Sequence, residues 1–283
     1  MAKSKKKYII SFLVFLVLFF FACVIYGYFE ARNIVLKEIV FSHEDIPASF
    51  SGKKIIFISD IHCCKTFDDK QLAALVERIN DRNPDFILIG GDNTRKDTTY
   101  YKPFLREIGK LKSKYGVYTV LGNHDHWEDA GLIRDGLKDC GFNICDNHSY
   151  WINIGEDSIK IGGVGDYWED EQILSNTIDD VEKSDFCILL SHNPDYMEEL
   201  NTDRVDLMLS GHTHGGQITF FGLFAPVMPS TGHPEYPQTG QKYRYGWKEK
   251  GDVKLYVTSG IGMGGFPLRF FAPPEIVEIT LSR

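Results

Sequence analysis

The stretch Lys54-Ile55-Ile56-Phe57-Ile58-Ser59-Asp60-Ile61-His62 reads as a short apolar strand that stops abruptly in a carboxylate and an imidazole. The pattern returns four times. Phe86-Ile87-Leu88-Ile89 runs into Gly90-Gly91-Asp92, and Val117-Tyr118-Thr119-Val120-Leu121 into Gly122-Asn123-His124-Asp125. Phe186-Cys187-Ile188-Leu189-Leu190 runs into Ser191-His192, and Leu207-Met208-Leu209 is followed closely by Gly211-His212-Thr213-His214. Between the first two runs, residues 69–80 carry Leu72, Leu75, Val76 and Ile79 at helical spacing, and residues 101–113 suggest a second helix. Short apolar runs alternating with helical segments predict an α/β body with buried sheets. Residues 149–165 and 253–280 alternate instead, with glycine punctuation, which predicts antiparallel strands and a second sheet.

In α/β sheets, ligands gather in the crevice beyond the carboxyl ends of the strands. Five strands ending in Asp, His and Asn would converge those side chains on one site. Each block alone has an ordinary explanation: Asp60 as an N-cap, Gly91-Asp92 as a turn. Five such blocks in one chain do not. The candidate ligands Asp60, His62, Asp92, Asn123, His192, His212 and His214 are carboxylates, imidazoles and one amide, with no thiolate. Such a set suits Mn, Fe, Zn or Co, with Mn favoured, and its imidazoles argue against a pure Mg or Ca site. The set exceeds what one ion uses, so two divalent metal ions sharing a bridging Asp are expected. That arrangement clamps the attacking and leaving oxygens in phosphoryl transfer.

These blocks resemble the calcineurin-like metallophosphoesterases, whose D-x-H, G-D, G-N-H-D/E, H and G-H-x-H pattern is met at 60–62, 91–92, 122–125, 192 and 211–214. The likeness covers roughly residues 53 to 280, and Gly215-Gly216-Gln217-Ile218 with Pro267-Leu268-Arg269-Phe270 resembles a membrane-associated bacterial branch. The resemblance implies a four-layer α-β-β-α sandwich of two mixed sheets. It implies that Asp60, His62 and His214 hold one metal, Asn123, His192 and His212 the other, and that Asp92 bridges them. It further implies that a hydroxide between the ions attacks phosphorus in line, that His124 protonates the leaving oxygen or stabilises its charge, and that Asp125 orients the His124 ring. The chain departs from the pattern after the bridging Asp, where Asn93-Thr94-Arg95 stands in place of an acidic or apolar residue.

The amino-terminal end has another character. Residues 1–7 are a basic lead with Lys3, Lys5, Lys6 and Lys7, and Tyr8–Tyr28 is an apolar run of 21 residues, enough to cross a bilayer. The lysines before the run put the N-terminus in the cytoplasm and the body outside, at the cell membrane as a single-pass protein. Residues 29–50 are expected to be a tether and 51–283 the catalytic domain. A cleaved signal peptide is the rival, but the run is long and lacks a small-x-small cleavage site. Cys23 after Phe20-Phe21-Ala22 makes a poor lipobox.

The expected function is hydrolysis of a membrane-lipid or cell-envelope phosphate ester, by a phosphodiesterase or phosphomonoesterase. The alternatives are a UDP-2,3-diacylglucosamine hydrolase, which an outward-facing body disfavours, and a non-catalytic metal-binding envelope protein, which the filled motif disfavours. A net charge of −8 without basic clustering in the body argues against nucleic acid as a partner. Several residues have two readings. His126 is a substrate contact or, preferably, part of a surface loop. Arg269 meets a substrate phosphate or forms a structural salt bridge, and Phe220–Met228 is core or, less favoured, a lipid-dipping loop. Asp166 and Trp168 are placed at the site rim, Cys140 and Cys145 are preferred as reduced thiols over a disulfide, and Cys63 and Cys64 as loop residues over metal-site ones. His43, His148 and His233 are given no role.

Overall fold

The computed structural model describes residues 2–95, 98–228 and 240–283, with side chains from Lys5 onward. His233 lies outside the described residues. In chain order the elements are α1 (Ala2–Glu30), β1 (Val35–Ser42), β2 (Lys54–Ile58), α2 (Asp69–Asn80), β3 (Phe86–Ile89), α3 (Tyr101–Ile108), β4 (Val117–Thr119), α4 (Asn123–Asp139) and β5 (Asn143–Ile144). There follow β6 (Ser149–Ile154), β7 (Asp157–Gly163), α5 (Ser175–Ile178), β8 (Cys187–Leu190), β9 (Leu207–Ser210), β10 (Gly246–Lys250), β11 (Val253–Val257) and β12 (Glu275–Ser282).

Alternation along β2 sorts its side chains into layers. Ile56 and Ile58 pack with Leu72, Leu75 and Ile79 of α2, Phe104 of α3 and Ile133 of α4. Ile55 and Phe57 face the other way, into a second core shared with Ile161, Ile188, Leu190, Leu207 and Leu209. That second core lies between two six-stranded sheets, ordered β1-β12-β2-β3-β4-β5 and β10-β11-β9-β8-β7-β6. Both are mixed: β2, β3, β4 and β5 run parallel with β12 antiparallel beside β2, while β7, β8, β9 and β11 run parallel between antiparallel edges. The outer face of the second sheet buries Cys187, Leu189, Met208 and Leu255 under Tyr167, Tyr196 and Met197. Its cover is thin, made of loops, α5 and a 3-10 turn at Pro194–Glu198. The result is the expected four layers, one outer layer much lighter than the other.

The helix over 69–80 has the extent its spacing predicts, begun by Asp68, whose carboxylate accepts from the Lys70 and Gln71 amides. The second helix is shorter than 101–113 and closes at Ile108 before Gly109.

The tether expected over 29–50 needs correcting. All eight residues of β1 pair with β12, so the folded body begins by Val35. Lys37 and Glu38 gave this edge strand a polar look, and its partner lies some 240 residues away in sequence. Helix α1 extends past the apolar run at both ends. Within its 26 residues from Lys5 to Glu30 an 18-residue stretch has a mean hydropathy of 3.0, so the helix is long and apolar enough to cross a membrane. Among the described residues the helix meets the body through its last turns, where the Arg269 amide donates to Gly27 O at 3.1 Å. A Cβ on Gly27 would lie 2.8 Å from Arg269 O, so glycine is what permits this approach.

Candidate metal centre

The five predicted strands divide between the sheets, β2, β3 and β4 in one and β8 and β9 in the other, and their carboxyl ends meet in one cleft. At the turns out of β2, β3 and β9 the backbone bends sharply. Asp60, His62, Asp92, His212 and His214 have φ of 53°, 46°, 55°, 66° and 52°, in the left-handed region that L-residues rarely adopt. Such a conformation costs about 1–2 kcal/mol per residue. Strain concentrated on five candidate ligands is the pattern of a functional site. Gly91, at φ +91°, leads β3 into Asp92; a Cβ there would stand 2.6 Å from Gly122 N.

Asp60, His62 and His214 offer ligand atoms that all lie within 4.8 Å of one another, and so do Asp60, Asp92 and His192. His62 Nε2 stands 3.1 Å from His214 Nε2. On the other side, His212 Nδ1 stands 3.0 Å from Asn123 Oδ1 and 3.3 Å from His192 Nε2. Asp92 Oδ2 lies between the two groups, 3.5 Å from His62 Nε2 and 3.4 Å from His192 Nε2. Its other oxygen accepts from the His124 amide at 2.8 Å. His192 Nδ1 meets Gly90 O at 2.6 Å, a bond that directs Nε2 inward. Two nitrogens each about 2.1 Å from a shared ion, at 90–110° to one another, stand about 3.0–3.4 Å apart. The ring-to-ring spacings here match that figure, and the donor set fits divalent cations.

Charge in the cleft follows from burial. Desolvation lowers His62 and His212 to about 3 and His214 well below its ordinary value, so these rings are neutral and their lone pairs free. Burial alone would raise Asp92 and lower His192. Their mutual attraction outweighs it, leaving the carboxyl well below and the imidazole well above the usual range. Burial raises Asp60 to about 6 against the pull of His192.

His124 is edge-on to His62, ring centroids 4.8 Å apart, and its Nε2 or Nδ1 lies within reach of Asp92 and His62. Asp125 does not orient it. That carboxylate accepts from the Asn93 amide at 2.9 Å, Asn93 Nδ2 at 3.0 Å and Gly122 N at 3.0 Å. Adjacent residues on a helix diverge by about 100°, so Asp125 turns into the body as His124 turns to the cleft. The ring against His124 is Trp127, at 4.6 Å, with its Nε1 donating to Glu169 at 2.7 Å. The Asn93-Thr94-Arg95 departure thus supplies the partner of Asp125, while Arg95 places a cation near His62 and His124.

His126 sits in the first turn of α4, not in a loop, half-buried and outside both ligand groups. The substrate reading of Arg269 is corrected, and so is the salt bridge. Its side chain is fully buried, and its guanidinium donates to the backbone carbonyls of Ser259 at 2.8 Å, Ala272 at 3.0 Å and Gly262 at 3.2 Å. Trp168 packs edge-on against His212 at 4.5 Å, and Asp166 holds the Trp168 amide, which puts both at the rim. All six cysteines are free; Cys63 joins the core and Cys64 Sγ meets Thr66 Oγ1. The core reading of 220–228 fails over most of its length: Phe220, Phe221, Leu223, Phe224 and Val227 are all more than half exposed, and only Ala225 and Met228 are buried.

Comparison with known proteins agrees with this geometry. The sequence pattern of the calcineurin-like phosphoesterases matches residues 53–216. The chain is 32% identical over 259 residues to the metallophosphoesterase YkuE of Bacillus subtilis, covering 90% of this chain and 88% of that one. It is 28% identical over 259 residues to phosphodiesterase YaeI of Escherichia coli, covering 90% and 89%. A Danio rerio transmembrane protein with a metallophosphoesterase domain is 29% identical over 253 residues, covering 85% of this chain and 55% of that protein. The chain belongs to the calcineurin-like phosphoesterase family and is a metal-dependent phosphoric ester hydrolase.

Proposed function

We propose that this chain is a dinuclear phosphoesterase acting on a membrane-lipid or cell-envelope phosphate ester. The observation that carries the proposal is the place of Asp92 Oδ2, within 3.5 Å of donors from both ligand groups. Asp60, His62 and His214 would hold one ion and Asn123, His192 and His212 the other, Mn²⁺ being favoured, with Asp92 common to both. Bound ions would supply Lewis acidity toward the phosphoryl oxygens and a nucleophile from water at neutral pH. The chain's own groups do the rest. Burial keeps His124 below its ordinary pKa, so at neutral pH its ring offers an N–H hydrogen bond to the departing oxygen. Arg95 adds positive field on the same side, and Trp127 fixes the His124 ring. α1 would anchor the chain in the cell membrane with its amino end cytoplasmic and the body extracytoplasmic, as its four lysines favour.

The test uses the full-length chain in detergent with bis(p-nitrophenyl) phosphate, metal-stripped and then reloaded. Hydrolysis should appear with Mn²⁺ and vanish with chelator, and His124→Ala should lower kcat about 10²–10⁴-fold. Silence with Mn, Fe, Zn and Co alike overturns the reading in favour of a metal-binding scaffold. Protease accessibility in intact cells tests the orientation; a protected body reverses it.

A further inference from the structure

Outside α1, most of the large exposed apolar side chains gather in one place. Phe220, Phe221, Leu223, Phe224 and Val227 form one loop, and Phe266, 71% exposed, lies beside it. This loop is continuous with the helix. Tyr26 of α1 packs on Phe270 and Phe271 at 5.4 and 5.3 Å, and Phe221 packs on Phe271 at 5.0 Å. A recess lined by Cys23, Val24, Gly27, Ile218, Leu268 and Phe270 joins the two segments.

The depth of those contacts decides what covers the patch. The apolar run Tyr8–Tyr28 is about 31 Å of helix, the thickness of a bilayer's hydrocarbon core. Cys23 lies about 7–8 Å inside its outer end. Side chains that pack on Tyr26 or share the recess with Cys23 and Val24 therefore stand at the level where acyl chains meet headgroups whenever α1 spans. Aromatic and aliphatic side chains are stable at that level, and a patch of this size is costly in water.

From this patch an apolar groove of ≈ 400 Å³ leads inward, lined by Gln217, Ile218, Pro226, Val227 and Phe266 and ending on His214. Its lining among the described residues has no charged side chain, the His214 ring being neutral. One end is thus a candidate metal ligand and the other is the exposed apolar loop.

We propose that residues 218–227 and Phe266 rest in the outer interfacial layer of the bilayer, and that the groove receives the hydrocarbon portion of a lipid phosphate ester whose phosphorus meets the metal centre. The inference rests on the phosphoesterase reading above and narrows its substrate to a lipid taken from the membrane. In the reaction water adds to phosphorus, the P–O ester bond breaks, and the departing oxygen gains a proton.

The experiment reconstitutes the full-length chain in palmitoyl-oleoyl phosphatidylcholine vesicles. In Leu223→Trp, the added emission should be blue-shifted and quenched by lipids brominated on their acyl chains, relative to wild type. In Phe220→Ser/Leu223→Ser/Phe224→Ser, Mn²⁺-dependent turnover of a fluorescent phospholipid in the vesicles should fall at least tenfold, while bis(p-nitrophenyl) phosphate turnover stays within twofold. Water-exposed, unquenched emission overturns the bilayer contact, and so does a triple variant that instead dissolves an oligomer seen for wild type. Unchanged lipid turnover overturns the uptake of lipid from the bilayer through this loop into the groove. If wild type hydrolyses neither substrate but Leu223→Trp is quenched, the catalytic reading fails and the membrane contact stands.

Discussion

Ile55, Ile56, Phe57 and Ile58 have no exposed surface, while Phe220, Leu223, Phe224 and Val227 are 64%, 80%, 52% and 76% exposed. By composition the two stretches are alike. The difference lies in partners. β2 has a strand on each edge, β3 and β12, and a core on each face. Among the described residues the 218–227 segment has only isolated bridges, Ile218 to Phe270 and Phe220 to Phe224, and Gly222 and Pro226 interrupt it. Apolarity states that a segment leaves water, and long-range pairing decides whether it enters protein or another medium.

The comparison can be broken at several points. Buried runs end in the site, so Asp92→Asn should cut kcat/KM for bis(p-nitrophenyl) phosphate by about 10³-fold or more, about 4 kcal/mol of transition-state stabilisation. A loss under tenfold would show that the two ligand groups act without a shared carboxylate. Phe57→Ala should destabilise the body by about 3–5 kcal/mol, read from denaturant or thermal unfolding, because the cavity opens between two sheets. Asp146, just past β5, shows what burial costs a charge: desolvation raises its carboxyl to about 6, while one oxygen accepts from the Leu121 amide at 2.8 Å. A carboxyl whose folded value is raised loses stability as pH climbs from its unfolded value near 4 to about 6. Asp146→Asn keeps the acceptor and should gain about 1–2 kcal/mol at pH 8 with no gain at pH 4. An equal effect at both pH values would refute the electrostatic cause. Phe224→Ser, the counterpart of Phe57→Ala, should change unfolding by no more than about 0.5 kcal/mol. A larger loss would mean that the loop is core after all.

The sequence carried the strands and the meeting of the candidate ligands at their ends, because each apolar run passes directly into chemically distinctive residues and the whole block is local. What it hid was non-local. β1 looks like linker because Lys37 and Glu38 suit an exposed edge, and only β12 makes it a strand. Asp125 stands beside His124 in sequence, yet its partner is Asn93, whose amide and side chain claim the carboxylate. Trp127 at the His124 ring is an i, i+3 neighbour that helical spacing would have found, had α4 been predicted to begin at Asn123. Arg269 suggested a phosphate clamp because arginine so often is one, and nothing local reveals that its donors are spent on backbone carbonyls.

That last residue has a mechanical consequence. The backbone of Arg269 is bonded to Gly27 of the helix, and its guanidinium is bonded to Ser259, Gly262 and Ala272, with His214 O 3.4 Å from Nη1. One residue therefore rivets the apolar helix α1 to the floor of the cleft. An enzyme on a slack leash would sample many heights above the lipid surface, but a riveted one has a single standing height and a single tilt. With α1 spanning as proposed, bilayer thickness, which would set how that helix leans, would also set where the cleft stands.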